Sequence, residues 1–260
     1  MVADRVTLGT LSGVEPALSY LDVSGTRIAY RLRQGGSPTL VFLAGYASDM
    51  EGTKALALDA FAEAQGLAIL RFDYSGTGSS DGEFEEGTLA GWLDEALYMI
   101  DNLVDGPIVL VGSSMGGWIA LLAARARPER TAGVVGIAAA PDFTDWGYSH
   151  AEKQALRDEG RLERPNPYGP EPSVTSLRFW QSGEALRLLD APIPVDCPVR
   201  LVHGDADADV PFAVPLRTME KLRSADVQLN IVKGGGHRLS ERNEIEAILR
   251  SVAALSGEHR

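Results

Sequence analysis

The stretch Ile108–Gly117, IVLVGSSMGG, constrains the fold of this chain more than any other. Ile108 to Val111 is a short, uncharged apolar run between Gly106-Pro107 and Gly112, rich in β-branched residues. A strand buried on both faces of a parallel sheet has that composition. Gly112-Ser113-Ser114-Met115-Gly116 fits the pattern G-x-S-x-G with Ser114 at its centre, and Trp118–Ala124 continues as a helix that Arg127-Pro128 ends. Strand, glycine-flanked turn and helix together are the context in which such a serine is a nucleophile. The turn is too sharp for side chains at its flanks, so glycines stand at 112 and 116 and the Ser114 hydroxyl is pushed clear of the backbone. The helix N-terminus directs unpaired N–H groups at the same place, where they can hold an oxyanion.

Around this stretch the chain alternates strands and helices. Leu18–Leu32 reads as a hairpin about Ser24-Gly25, and Thr39–Ala44 as the first buried strand. A helix follows over Lys54–Gln65, with Leu56, Ala60, Phe61 and Ala64 as its packed face, then a strand at Leu67–Phe72. Asp73–Gly82 is a polar loop bordering the site, with Asp73 as a structural anchor, and Thr88 caps a helix that stops at Asp105-Gly106. Beyond the serine, strands are expected at Ala132–Ala138, Val199–His203 and Val227–Val232, with helices around Val214–Leu222 and from about Glu241 to Leu255. Met1 to Pro16 lack periodicity and read as a loosely attached arm. This order predicts an α/β fold, a mostly parallel sheet flanked by helices, in one domain spanning residues 1–260.

From about 141 to 194 the alternation lapses, and Trp146, Tyr148, Tyr168, Phe179 and Trp180 stand among charges and a proline-rich run. More than about 15 residues without a strand marks a functional insertion. The segment is expected to form a small helical lid over the carboxyl ends of the strands. Its aromatics would be costly in water unless they pack on the sheet or line a pocket. Phe179 and Trp180 are expected to bind an acyl chain, the alternative being that they only hold the lid together.

Composition narrows the partners. A formal net charge of −12 argues against nucleic acid or an anionic membrane. No stretch is apolar over a length that spans a bilayer. The one cysteine, Cys197, rules out an internal disulfide framework and reads as a buried structural thiol. With no signal-peptide core in MVADRVTLGT, the expected location is cytoplasmic. Gly76-Thr77-Gly78 lacks the third glycine of a dinucleotide fingerprint and Gly234–Gly236 lacks a following Lys-Ser/Thr, so no cofactor is expected. No His/Cys set has zinc spacing, so no metal is expected.

A serine hydroxyl needs a base. Of the four histidines, His259 sits in the tail, His150 in the insertion, and His203 at a His-Gly turn that ends a strand. His237 remains, after Gly234–Gly236 and between the last strand and the last helix, in a loop free to fold back over the sheet edge. The orienting carboxylate is expected between serine and histidine in chain order. Asp205, Asp207 and Asp209 all lie just past a strand end, and spacing alone does not choose among them.

The whole constellation resembles the α/β-hydrolase family from about Leu40 to the C-terminus. There the acid often falls in H-G-x-x-D-x-x-V-P, which matches His203–Pro211, so the resemblance implies Asp207. The family's oxyanion turn usually reads His-Gly-x; Ala44-Gly45-Tyr46 departs from it at the histidine but keeps the backbone donor. The resemblance thus implies the N–H groups of Tyr46 and Met115 as the oxyanion hole. FLAGYASDMEGTKALAL, FDYSGTGSSDG, DGPIVLVGSSMGGW and CPVRLVHGDADADVP are similar to the branch containing mitochondrial palmitoyl-protein thioesterases and acyl-glucuronide esterases. This resemblance implies a serine hydrolase that cleaves carboxylic esters or acyl thioesters of small molecules through an acyl-enzyme. A small amide or peptide hydrolase would use the same machinery, and a ligand-binding module with little turnover is the reading from another class.

Overall fold

The expected hairpin is formed by β1 (Ser19–Val23) and β2 (Thr26–Arg33). The computed structural model describes residues 15–166, 169–170 and 172–257. Most of the expected N-terminal arm, Tyr168 and His259 therefore lie outside the described residues. β3 (Gly36–Leu43), β4 (Leu67–Phe72), β5 (Ile108–Ser113) and β6 (Thr131–Ile137) follow. Two short strands, β7 (Arg161–Arg164) and β8 (Ser173–Ser176), form a separate two-stranded antiparallel sheet. With β9 (Val199–Gly204) and β10 (Val227–Val232), the main sheet runs β1-β2-β4-β3-β5-β6-β9-β10. β2 meets both its neighbours antiparallel, and every pairing from β4 to β10 is parallel.

All residues of β4, β5 and β9 are buried, as expected for strands covered on both faces. Each apolar side chain withdrawn from water there contributes about 1.5–3 kcal/mol. Helix α1 (Thr53–Gln65) packs through Ala55, Leu58, Phe61 and Ala62 instead of the expected Leu56, Ala60, Phe61 and Ala64. In a helix this rich in alanine, little hydrophobic contrast marks the packed face. Asp59 is buried beside that face because it receives the Arg33 guanidinium at 2.6 Å. Helix α2 (Leu89–Leu103) starts at Thr88, whose side chain accepts from Gly91 N–H at 3.0 Å. Helix α3 (Met115–Ala126) is buried without a break from Met115 to Ala124, so it forms part of the core and has no solvent face over that length.

Between β6 and β9 lie α4 (Phe143–Trp146), α5 (His150–Glu159), the β7–β8 hairpin and α6 (Leu177–Ala185). This segment is not purely helical as expected. Its strands are four residues each, too short for an alternation that stands out from the proline-rich run between them. Asp142 joins the two ends of the excursion, accepting from the N–H groups of Leu188 and Leu189 at 2.8 Å each. Helix α7 (Ala213–Lys221) leads to β10, and α8 (Arg242–Ser256) closes the fold with Ile245, Ile248, Leu249, Val252 and Leu255 packed inward. Because β4 and β5 lie on opposite sides of β3, the carboxyl ends of β3 and β5 face a common crevice.

Candidate active site

Loops leaving the carboxyl ends of β3, β5, β9 and β10 meet over this crevice. Ser114 stands between β5 and α3 at φ 53°, ψ −117°, a conformation that L-residues rarely adopt. The local packing requires it. A Cβ on Gly112 would come within 2.1 Å of Gly116 O, and one on Gly116 within 2.0 Å of Leu43 O. Helix α3 thus starts in backbone contact with β3 and β5, and Ser114 absorbs the reversal. Its N–H donates to Ile137 O at 2.9 Å, while its carbonyl accepts from Gly117 and Ala140, so the strained turn is pinned on both sides.

His237 Nε2 lies 3.1 Å from Ser114 Oγ, and its Nδ1 lies 2.9 Å from Asp207 Oδ2. The other oxygen of Asp207 accepts from the N–H groups of Asp209 and Val210, both at 2.9 Å. Burial pushes the Asp207 carboxyl up, but the hydrogen bonds from His237, Val210 and Asp209 outweigh it and hold the group below its ordinary value. Of the other two aspartates, Asp205 turns away and accepts from Gly234 N–H at 2.5 Å. Asp209 stays beside Asp207 and His237, within 4.8 Å of both, and lines a cavity. Asp207, Asp209 and His237 could surround an ion, yet both oxygens of Asp207 and its facing histidine nitrogen are already engaged. That is a poor donor set for a metal.

The remaining histidines have other roles. His203 is buried behind Asp207, with Nε2 3.1 Å from Val210 O, and burial pushes its imidazole down. His150 is the first residue of α5. Asp73 accepts from Met50 and Ser79 N–H groups at 2.7 and 2.8 Å, which makes it the expected anchor of its loop. Cys197 is half-buried, and burial raises its thiol to about 11, so it stays protonated.

Met115 is the first residue of α3, so its N–H has no partner within the helix. Tyr46 follows β3, and Gly45 beside it is so close that a Cβ there would lie 3.5 Å from the Ser114 Cβ. Two cavities have Ser114 and His237 in their walls. One, of about 830 Å³, runs beneath the insertion past Phe84, Phe143, Trp146 and Tyr148. The other, of about 270 Å³, is lined by Ser48, Thr53, Lys54 and Ser240. Burial, with help from Arg238, pushes the Lys54 ammonium down to about 8. These polar residues carry no motif, and only the fold reveals them.

Phe179 and Trp180 do not have the expected place. Neither lines either cavity. Phe179 is 1% exposed and packs into the main core, while Trp180 is 6% exposed in a small second core with Tyr148 and Leu156. The Trp180 indole N–H donates to Thr144 O at 2.9 Å. They sit on the inward face of α6, and aromatics at that spacing serve packing at least as readily as a pocket. The cavity wall comes instead from Phe84, Phe143 and Trp146.

The sequence signature of the alpha/beta hydrolase family matches residues 40–248. The chain is 41% identical to human "palmitoyl-protein thioesterase ABHD10, mitochondrial" over 233 residues, 88% of this chain and 76% of that protein. The structure of mouse alpha/beta hydrolase domain-containing protein 10 matches with a TM-score of 0.87 at 36% identity, covering 94% of this chain and all of that one. A putative hydrolase from Agrobacterium vitis matches equally, with a TM-score of 0.87 at 37% identity over 94% of this chain and 99% of the other. The thioesterases from human, orangutan, cattle and mouse, 39–41% identical, are all named as mitochondrial, which corrects the expectation of a cytoplasmic location. A single cysteine suits a reducing compartment without saying which one. On the matched residues, the strand–turn–helix about Ser114 and the sheet order, the chain belongs to the alpha/beta hydrolase family.

Proposed function

We propose that this hydrolase cleaves acyl esters or thioesters through an acyl-enzyme on Ser114, within one domain whose segment from about 141 to 194 serves as a lid. The observation that carries the reading is the unbroken hydrogen-bonded row Ser114 Oγ, His237, Asp207. Ser114 Oγ attacks the substrate carbonyl while His237 Nε2 takes its proton. Asp207 fixes the tautomer with Nδ1 protonated and offsets the charge that then forms on the ring. The N–H groups of Met115 and Tyr46 hold the oxyanion. As the tetrahedral species collapses, the carbon–oxygen or carbon–sulfur bond breaks and His237 returns the proton to the leaving group. Water enters, His237 takes its proton, and a second collapse frees the acid and restores Ser114.

The two cavities divide the substrate. The larger one, walled by Phe84, Phe143 and Trp146, suits an acyl chain, whose burial gains about 0.8 kcal/mol per CH₂. The smaller, with Ser48, Thr53 and Lys54, suits a polar leaving group. The palmitoyl-protein thioesterases at 38–41% identity favour a thioester among the substrates. A panel pairing acyl thioesters with the matching oxygen esters tests this reading. Turnover of both is expected, and Ser114→Ala should lower kcat by on the order of 10⁶, the scale of other serine triads. Ser114→Ala retaining activity within tenfold of the wild type would contradict it.

A further inference from the structure

Tyr46 enters the proposed chemistry through its backbone, yet its side chain ties the crevice together. Its hydroxyl donates to Val174 O in β8 at 2.7 Å, across 128 residues of sequence. Its ring centre lies 4.6 Å from that of Phe179, 5.0 Å from Phe84, and 6.0 Å from both Trp92 and Phe143. Trp92 belongs to α2 in the core, whereas Phe143 and Phe179 belong to α4 and α6 of the insertion. Burial raises the Tyr46 phenol well above its ordinary value, so it keeps its proton and remains a donor. Its main chain lies between Gly45, packed against Ser114, and Ala47, at φ 53°. Both Tyr46 and Val174 line the larger cavity.

We infer that the Tyr46 side chain is a positioning residue that clamps the turn after β3 to the β7–β8 hairpin and thereby fixes its own N–H for the oxyanion. The inference rests on the proposed roles of Ser114 and the Tyr46 N–H. The turn itself is short and its tip, Ala47 and Ser48, is exposed. It closes on itself through Ser48 N–H to Gly45 O at a long 3.2 Å. An oxyanion donor is worth most when it needs no reorientation during the reaction. A misplacement of about 1 Å in such a site costs about 10²-fold. The hydroxyl tether and the surrounding rings supply the rigidity that the turn lacks. Transition-state stabilisation therefore depends on a docked hairpin, even for substrates that never touch it.

Tyr46→Phe tests this, because it removes the hydroxyl and keeps the ring. Rates are taken per active site, counted by complete titration with a fluorophosphonate, so unfolded protein does not contribute. The substrate is p-nitrophenyl acetate, whose short acyl group does not call on the hairpin. Acylation and deacylation both pass through an oxyanion, so kcat should fall about tenfold while KM stays within about twofold. Tyr46→Leu, which lacks the ring as well, should lose at least as much. A kcat for Tyr46→Phe within about twofold of the wild type overturns the inference. So does a raised KM with unchanged kcat, which would make the residue part of a binding wall only. Ser114→Ala, which takes no label and is therefore measured per chain, separates the two levels. If it turns over, the reading of the site fails; if it is dead while Tyr46→Phe matches the wild type, only the clamp fails.

Discussion

Ser114 holds a backbone conformation that costs on the order of 1–3 kcal/mol, and the surrounding backbone contacts make no other path available. That strain presents the hydroxyl to His237 without a search through rotamers. The partner that gives the histidine its direction is Asp207, buried and fully hydrogen-bonded. Asp207→Asn should lower kcat by about 10⁴, since an amide cannot hold the tautomer that leaves Nε2 free to accept. Asp205→Asn and Asp209→Asn should cost far less, because Asp207 is the carboxylate that faces the Nδ1 of His237, while Asp205 accepts from Gly234 N–H. The carboxyl of Asp207 is held below its ordinary 3.8 in the folded chain. Its contribution to stability is therefore present above that value and lost as pH falls through the folded one. The gap in melting temperature between wild type and Asp207→Asn should be widest near neutral pH and should close in acid. A gap that widens in acid would mean that the sign assigned to this carboxyl is wrong.

At the level of elements, the insertion separates two kinds of aromatic residue that look alike in the sequence. Trp180 and Phe179 face inward from α6 and hold packing together. Trp146, at the end of α4, lines the larger cavity and is anchored by its indole N–H donating to Pro141 O at 2.8 Å. Trp146→Ala should therefore flatten the rise of kcat/KM with acyl length, which is up to about fourfold per CH₂ if the whole transfer gain reaches the transition state. Trp180→Ala should instead lose about 3–5 kcal/mol of stability and leave the slope unchanged per folded site. A chain-length series on both variants checks this. A flattened slope in Trp180→Ala with a steep one in Trp146→Ala would restore the expectation drawn from the sequence.

Across the whole molecule, what the sequence made legible is what depends on buried strands and sharp turns. β5 could be read because every residue in it is buried and none is charged, and the elbow because two glycines mark a contact no Cβ survives. The pairing of His237 with Ser114 followed from elimination among four histidines and its place before the last helix, but which aspartate faces the ring did not follow from spacing, since three aspartates alternate within five residues. The packed face of α1 escaped because alanine marks both of its sides, and the β7–β8 hairpin escaped because four-residue strands carry almost no period. The bond from Tyr46 to Val174 spans 128 residues and has no local signature at all. The compartment lay beyond reach of composition, which reports redox conditions only. The central claim, that the elbow serine is the nucleophile and is activated by this row, has a direct measurement. The protein is treated with a fluorophosphonate probe, and the adduct is weighed intact and mapped by peptide. One adduct per chain is expected, on Ser114, forming far more slowly when His237 is replaced by Ala. A label on Ser113, or none on protein that still hydrolyses ester, would contradict the claim.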